Sequence, residues 1–362
     1  MSTFNLDNIL SQFLIEGKVE SVKPLGNGLI NDTFRVVTEG DAPDYVLQRI
    51  NNNIFTDVDL LQHNIDAVTG HIRRKLEAAG ADDIDRKVLR FVSTQQGKTY
   101  YLDNEGRYWR VSVFIPDAVT YEQVDPTSSR NAGKAFGEFE SMLVDLPEQL
   151  GETIPDFHNM ELRARQLQEA IEQDKAGRVA GVADIIADLQ KDMHEMCKAE
   201  RLFREGKLPK RICHCDTKVN NMMYDKQGNV LCVIDLDTVM PSFVFSDYGD
   251  FLRTGANFVA EDDPKIENVG FNQDIFRAFT EGYIESARSF LTPVEVENLP
   301  YAVALFPFMQ CVRFFADYLN GDTYYKIAYP EHNLVRTRNQ QALYHCVTDN
   351  YDMMDNFIRT LI

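Results

Sequence analysis

Positive charge is scarce in this sequence. It has 37 lysines and arginines against 56 aspartates and glutamates, which gives a formal net charge of −19. Proteins bind nucleic-acid phosphates through clustered positive charge, so we expect no nucleic-acid partner. The same deficit argues against a polybasic membrane anchor. A phosphorylated ligand would need a local cationic site or a metal ion.

Long apolar runs and an organised set of cysteines are also missing. No stretch approaches the ~20 consecutive apolar residues of a membrane span, and the first residues lack both segments of a secretory signal. We therefore expect a cytoplasmic protein without a membrane partner. The six cysteines lack the spacing of a disulfide framework and are expected to be reduced. Cys213 and Cys215 flank a histidine, but no second ligand cluster accompanies them, which disfavours zinc.

The chain is long enough for two domains, and its pattern changes along its length. At ~150 residues per domain, 362 residues suggest two domains or one two-lobed unit. Strand-like runs dominate residues 1–115, apart from a helical repeat at 58–79, and the pattern from about residue 126 is mainly helical. We predict an α+β protein with a small β-rich N-terminal lobe, 1–115, and a larger helical C-terminal lobe, 116–362.

A glycine turn, Gly26-Asn27-Gly28, joins two strand patterns at 19–25 and 33–38, and a third strand is predicted at 45–50. Taken alone, this turn is a weak sign of nucleotide binding because Gly-x-Gly often marks a plain hairpin. It gains meaning only together with the chemistry further along the chain.

The densest chemistry lies around a predicted hairpin at 222–234. Asp216 lies five residues before Asn221, and pairing across the hairpin places Asn221 and Asp235 near the same end. Carboxylate and amide oxygens suit Mg²⁺, and a spare carboxylate suits a base. The arrangement predicts phosphoryl transfer, with Asp216 as base, Asn221 and Asp235 as metal ligands, and Lys218 near the transferred group.

The plainer interpretation is that acidic residues merely end exposed strands, as they often do. That would suffice for one aspartate, but three oxygen-bearing residues around one hairpin favour a site. His214 is expected to be structural, with its ring bonded to the backbone. Asp237 is expected to share a strand face with Asp235 while lying further toward solvent, and so to matter less.

His214-x-Asp216-x-x-x-x-Asn221, followed by Ile234-Asp235, resembles the catalytic and metal-binding motifs of the aminoglycoside phosphotransferase and choline kinase group, which are relatives of protein kinases. Asp247-Tyr248-Gly249-Asp250 is similar to a further acidic motif of that group. The resemblance implies a bilobal protein-kinase-like fold that uses ATP and Mg²⁺, with the N-terminal lobe binding the nucleotide.

Several longer segments resemble the bacterial N-acetylhexosamine 1-kinases, including the glycine turn, residues 216–221, residues 234–238 and residues 329–338. The resemblance implies a sugar substrate phosphorylated at its anomeric 1-hydroxyl. It also implies that Arg313 and Tyr324 contact this sugar, together with Asp216. Leu29 stands where a bifidobacterial-type enzyme has a histidine near the sugar, so the resemblance leaves the preferred hexosamine open. The sequence does not specify an oligomeric state.

The predicted nucleotide contacts are Gly26, Asn27, Gly28, Gln48, Arg49 and Phe114. Most kinases carry a lysine at the position of Gln48. The hexosamine kinases, like this chain, lack that lysine. Either Arg49 supplies the missing charge, or Mg²⁺ and Lys218 do. Phe114 would stack on adenine, although an apolar strand that runs into a proline is equally ordinary core.

Other functions remain open at this point. The acceptor could be an aminoglycoside, a choline-like compound or another amino alcohol, and the missing lysine would also suit a catalytically dead nucleotide-binding module. The intact Asp216, Asn221 and Asp235 count against the dead module. A thiol- or zinc-dependent hydrolase using Cys213 or Cys215 lacks a ligand set.

Overall fold

The computed structural model describes residues 4–26 and 31–362, and the chain divides into two compact units. The first, called the sheet unit, takes residues from 1–119, 145–155 and 223–240. The second, called the helical unit, takes residues 120–144, 156–222 and 241–362. The predicted division at residue 116 gave each lobe one continuous stretch, whereas two later segments belong to the sheet unit. The functional assignment of domains 1–115 and 116–362 stays a prediction.

The sheet unit is built on an antiparallel sheet whose strands follow the order β1-β2-β3-β5-β4. The strands are β1 (Val19–Pro24), β2 (Asp32–Thr38), β3 (Tyr45–Ile50), β4 (Tyr101–Leu102) and β5 (Tyr108–Val113). The predicted strands at 19–25, 33–38 and 45–50 are confirmed. The register places Gln48 opposite Thr33 on one side and opposite Arg110 on the other.

The described part of the sheet unit contains three α-helices: α1 (Leu6–Leu10), α2 (Val58–Ala78) and α3 (Ile84–Lys87). The predicted helix at 58–79 is confirmed, with Leu61, Ile65 and Val68 fully buried along one face. The Asp57 side chain caps its first turn by accepting from the Leu60 amide at 2.9 Å. Ile9, Leu10 and Phe13 pack against the buried side chains of the sheet, which include Tyr45, Leu47, Trp109 and Val111.

The predicted hairpin is present as β7 (Met222–Tyr224) and β8 (Val230–Val233), and β6 (Arg211–Cys213) pairs with β9 (Met240–Ser242). The Asp225 carboxylate closes the turn of the hairpin by accepting from the amides of Gln227 and Asn229, at 2.8 and 2.9 Å.

The helical unit contains the remaining helices. They are α4 (Pro126–Leu143), α5 (Met160–Gln173), α6 (Ala183–Met196), α7 (Lys198–Arg204), α8 (Phe245–Gly255), α9 (Gln273–Ala287), α10 (Pro293–Glu297), α11 (Leu299–Leu319), α12 (His332–Asp349) and α13 (Tyr351–Leu361).

Two glycines let α4 and α9 approach each other closely. A Cβ atom on Gly133 would lie 2.1 Å from the Phe279 carbonyl oxygen, and one on Gly282 would lie 2.0 Å from that of Arg130. Neither position accepts a side chain without separating the helices. The contact fixes the facing side chains of α4 and α9 beside the start of α8.

Helix α11 is the core of the helical unit. It is long and apolar enough to cross a membrane, but 89% of its most apolar window is buried inside the protein, which is the pattern of a core helix. The two α11 residues that are not buried are Gln310 and Arg313. Their polar side chains are therefore the part of α11 that lies outside the core.

Candidate active site

A loop of the helical unit holds the predicted base. It connects β6 to a short 3₁₀ turn, Val219–Asn221. Lys218 Nζ lies 2.8 and 3.1 Å from the two carboxylate oxygens of Asp216. Asn221 Nδ2 donates to the backbone oxygen of Asp216 at 2.8 Å and to its Oδ2 at 3.1 Å. The structure thus brings together three predicted site residues, Asp216, Lys218 and Asn221.

The surroundings of Asp216 favour its ionised form. Burial raises the pKa of Asp216, but the charge of Lys218 and hydrogen bonds from Lys218 and Asn221 outweigh burial, so this pKa lies below its ordinary value. Burial lowers the pKa of Lys218, yet the Asp216 carboxylate more than compensates and raises it. An ionised, partly accessible carboxylate can accept the proton of a substrate hydroxyl.

The loop is held by Asp247 in the first turn of α8. The two carboxylate oxygens of Asp247 accept from the amides of His214 and Cys215, at 2.8 and 2.7 Å. Thr217 Oγ1 donates to the Asp247 backbone oxygen at 2.8 Å, and the Asp216 amide donates to His214 Nδ1 at 3.2 Å. The expected structural role of His214 is confirmed. Cys215 has a φ of +64°, which is unusual for a non-glycine residue and needs support of this kind.

A second charged group lies one turn further along α8. Arg253 is buried and bonds through Nε to Asp250 at 3.0 Å and through a terminal nitrogen to Glu261 at 2.5 Å. Burial raises the pKa of Asp250, and the Asp216 charge raises it further against the opposing effect of Arg253. The carboxylates of Asp216 and Asp250 therefore interact, and Asp216 is the one whose pKa is lowered.

The predicted sugar contacts lie at a cluster of rings and arginines. The Arg313 guanidinium lies 5.3 Å from the Phe157 ring centre and 5.8 Å from that of Tyr325, and it donates to Gln310 at 3.1 Å. Within residues 4–26 and 31–362, no carboxylate oxygen lies within 4.0 Å of it. Tyr324 is 66% exposed, and its ring packs edge-on against Tyr325 at 4.8 Å. Arg313 and Tyr324 thus both contact Tyr325.

Further basic residues adjoin this cluster. Burial lowers the pKa of Arg163 to about 10, and the positive charge of Arg313 adds to the shift. Burial also lowers the pKa of His158 well below its usual value, with Arg313, Arg163 and Arg253 adding to the shift. His158 is therefore neutral at physiological pH. The loop that carries Tyr324 is shaped by Asp317, whose carboxylate accepts from the amides of residues 323–325 at 2.8 to 3.0 Å.

The predicted metal ligand Asp235 lies in the sheet unit, just after β8. It has a left-handed backbone, with a φ of +59°, and an exposed side chain. The expectation for Asp237 was wrong, because the strand ends at Val233 and residues 236–238 form a 3₁₀ turn. This turn directs Asp237 inward, and its side chain is only 4% exposed.

Asp237 forms a buried ion pair with Arg110 of β5. A terminal nitrogen of Arg110 lies 2.5 Å from Asp237 Oδ1, and Arg110 Nε donates to Gln48 Oε1 at 3.0 Å. The same terminal nitrogen lies 3.4 Å from Gln62 Oε1 of α2, and Asn31 Nδ2 donates to Asp237 Oδ2 at 2.8 Å. The pair links β3, β5, α2 and Asn31, the residue that precedes β2.

The other predicted nucleotide contacts occupy varied places. Gln48 is engaged by Arg110, while Arg49 is paired with Asp32 through Nε at 2.5 Å and is partly exposed. The Phe114 ring is half-buried, and the Arg35 guanidinium covers one of its faces at 4.2 Å. Gly26 has a φ of +67°, a conformation that suits glycine. Asn27 and Gly28 lie outside the described residues.

Residues 21–283 match the sequence model of the APH family, the phosphotransferase enzyme family. This span is nearly three quarters of the chain. The chain belongs to the APH family. Its activity class is therefore phosphotransfer, as the Asp216 loop predicts.

Solved structures with the same fold include other APH proteins. An aminoglycoside phosphotransferase from Alicyclobacillus acidocaldarius is 13% identical with a TM-score of 0.65, and the match covers 98% of each chain. Spectinomycin phosphotransferase APH(9)-Ia, bound to ADP and spectinomycin, is 12% identical with a TM-score of 0.57 over 97% of this chain and 99% of that one. A choline kinase from Cryptosporidium parvum is 13% identical with a TM-score of 0.55, over 93% and 91%. The predicted α+β, protein-kinase-like fold is confirmed.

Sequence analysis missed several residues that lie beside the predicted ones. Arg110 gave no local signal, because its partner Asp237 is 127 residues away. Arg253 follows Asp250 by three residues on one helix face, a spacing that was open to detection. Tyr325 was overlooked beside Tyr324, although only the structure shows which of the two rings faces Arg313.

Proposed function

We propose that this phosphotransferase moves the γ-phosphoryl group of ATP to a hydroxyl of a small molecule, and that the acceptor is the anomeric 1-hydroxyl of an N-acetylhexosamine. The observation that carries the proposal is the ionised Asp216, held beside Lys218 and Asn221 in a partly accessible loop. A carboxylate base, a cation beside it and an amide that can hold a metal ion are the groups that serve the transfer of a phosphoryl group to an alcohol.

The proposed chemistry assigns one task to each side chain of the loop. Asp216 accepts the hydrogen bond of the acceptor hydroxyl and takes its proton. The hydroxyl oxygen then forms a bond to the γ-phosphorus, while the bond from that phosphorus to the bridging oxygen breaks and ADP leaves. Lys218 holds the carboxylate and offsets negative charge on the transferring group. Both roles need the same short distance between Lys218 and Asp216.

Asn221 and Asp235 are suited to hold Mg²⁺. The amide nitrogen of Asn221 is bonded to Asp216, so its oxygen is turned away from that carboxylate. Asp235 offers an exposed carboxylate from a turn, and hard oxygen donors of these two types are what Mg²⁺ prefers. When bound, the ion would neutralise charge on the nucleotide phosphates.

We assign a positioning role at the nucleotide end to Arg110. Related kinases rely on a lysine that pairs with a helix carboxylate. Here the charged pair is Arg110 and Asp237, and amide oxygens of Gln48 and Gln62 occupy the remaining positions. The pair is neutralised and buried, so it supports the turn that begins at Asp235. Arg49, which is partly exposed although it is paired with Asp32, is one candidate to meet phosphate, and Mg²⁺ with Lys218 is the other.

The acceptor assignment rests on the cluster around Arg313. An arginine with no carboxylate within 4.0 Å among the described residues retains donors for sugar hydroxyls or an acetamido oxygen, and the exposed ring of Tyr324 offers an apolar surface to a pyranose. The neutral His158 supplies a further polar group without charge.

The test is a panel of acceptors incubated with ATP and Mg²⁺, followed by phosphorus NMR of the products. We expect a sugar 1-phosphate from N-acetylglucosamine or N-acetylgalactosamine, and its formation should be at least ~100-fold slower with the matched D216N variant. An Asp225→Asn control, in the hairpin turn, should retain turnover. A phosphorylated aminoglycoside or amino alcohol would support the kinase activity and refute the sugar as its acceptor. The absence of product with every acceptor would refute the kinase activity itself.

A further inference from the structure

Glu140 on α4 is a buried carboxyl that the proposed chemistry does not use. Glu140 is 2% exposed, and it lies outside the Asp216 loop. One oxygen of Glu140, one oxygen of Asp247 and the sulfur of Cys213 all lie within 4.8 Å of one another. Two carboxyl groups this close and this deeply buried cannot both be ionised without a large cost.

The hydrogen bonds decide which of the two carries a proton. Both oxygens of Asp247 accept from backbone amides, at 2.8 and 2.7 Å, and this pattern suits a carboxylate. Glu140 Oε2 accepts from the hydroxyl of Tyr283 at 2.5 Å. Glu140 Oε1 has no hydrogen-bond partner that is a donor, although it is fully buried. A proton on Oε1 removes this deficit, because Asp247 is an acceptor within reach.

We propose that Glu140 is held protonated and donates a hydrogen bond to Asp247, so that α4 braces the carboxylate that fixes the Asp216 loop. Glu140 is thus a positioning residue that acts through Asp247. Its place is set by the glycine contact between α4 and α9, which brings Tyr283 to the opposite oxygen.

The other groups around Glu140 agree with this assignment. Burial raises the pKa of Glu140 well above its usual value, and the negative charge of Asp247 raises it further, while the Tyr283 hydroxyl opposes the shift. Glu295 of α10 adds to the shift, but Arg211 of β6 pairs with Glu295 at 2.9 Å. Burial keeps the Cys213 thiol protonated by raising its pKa, and the His214 ring packs between Phe136 and Phe139 at about 6 Å from each.

The proton has a measurable consequence for unfolding. The folded chain keeps a proton on Glu140 that the unfolded chain releases above the ordinary carboxyl range. Stability is therefore lost as pH rises toward the folded pKa of Glu140. E140Q donates the same hydrogen bond without a titrating proton, so it should gain stability relative to wild type as pH rises. The ratio of the two unfolding constants should grow by up to ~10-fold per pH unit.

The experiment is urea unfolding of the full-length wild type, E140Q and the control E285Q from about pH 6 to about pH 9, above the ordinary carboxyl range. Glu285 lies on α9, and its hydrogen bond to Lys134 lowers its pKa, so E285Q should differ from wild type by the same amount at every pH. A flat difference for E140Q, or an E140Q chain that fails to fold, would overturn the proposal.

Two further measurements complete the test. After incubation with Zn²⁺, the wild type should contain negligible zinc. Zinc that is bound by the wild type and lost in both E140Q and C213S would instead mean that Glu140, Asp247 and Cys213 are metal ligands, and would overturn the proposal. In turnover, which rests on the proposed function, E140A should lower kcat more than it changes the KM for ATP, and E140Q should restore kcat. If no acceptor is phosphorylated, the unfolding measurements still decide the role of Glu140.

Discussion

Two parts of the molecule combine an aspartate with a basic partner, and they use the combination differently. In the Asp216 loop the partner is Lys218, and the two side chains are 21% and 46% exposed. In the turn after β8, Asp237 and Arg110 are 4% and 3% exposed. A partly exposed pair can separate to admit a substrate at little cost in free energy, because water solvates both charges. A buried pair that loses one partner leaves the other charge buried without a counter-charge, which strongly destabilises the fold. The first pair therefore suits chemistry and the second suits support.

The largest expected effect is on the exposed pair. D216N should lower kcat by ~10²–10⁴-fold, the usual contribution of a positioned general base, and leave the melting temperature nearly unchanged. Steady-state kinetics beside a melting curve on the acceptor found in the panel would check it. Wild-type turnover in D216N would remove Asp216 from the role of base.

Replacing aspartate by asparagine at position 235 and at position 237 should give opposite results. D235N keeps a side chain that tolerates the left-handed backbone, so it should fold normally but need far more Mg²⁺ for turnover. D237N leaves Arg110 buried without its counter-charge and should cost about 3–5 kcal/mol of stability. Magnesium titrations and urea unfolding of both variants separate the two roles. A D237N chain as stable as wild type would show that Arg110 finds another partner.

The partly buried Arg313 should behave as a substrate-binding residue rather than as a structural one. R313A should lower kcat/KM for the sugar by roughly 10- to 150-fold, corresponding to the loss of a charge-assisted hydrogen bond of ~1.5–3 kcal/mol. The KM for ATP should hardly change. R338A is the control, because Arg338 pairs with Asp184 at the surface at 3.2 Å. A lower melting temperature with unaltered sugar kinetics would make Arg313 structural.

The smallest effect should be a shift in pH dependence. Lys218 opposes the effect of burial and lowers the pKa of Asp216, so activity should fall only when the pH drops through that depressed pKa. K218Q removes the cation, and the acid limb of kcat/KM should move to higher pH. K226Q, which breaks the exposed pair with Asp117, is the control and should leave the limb in place. An unmoved limb in K218Q would mean that another group sets it.

Local signals were enough to predict much of the fold and part of the candidate site. Alternating apolar residues gave the first strands, and the 3–4 repeat gave α2. The spacing of Asp216, Lys218 and Asn221 fits a short 3₁₀ turn, so their convergence depends on residues close in sequence. The turn after α11 also follows from local sequence, because Asn320-Gly321-Asp322 favours a turn.

Features that depend on pairing between distant residues were not predicted. Gln48 faces Arg110 only because β3 and β5 adopt one register, and no property of either segment alone specifies it. Asp237 was misplaced because a strand was assumed to continue beyond Val233, whereas the chain turns left-handed at Asp235. The role of Glu140 depends on three elements packing around one carboxyl group.

The left-handed Cys215 also has a consequence for folding. A non-glycine residue gives up about 1–3 kcal/mol to adopt this conformation, so the loop does not favour its active shape by itself. The shape is imposed by Asp247, which lies 32 residues further along the chain. We therefore expect the Asp216 loop to adopt this shape only after α8 has docked, and a nascent chain that ends before α8 to carry the sequence of the candidate site without its geometry.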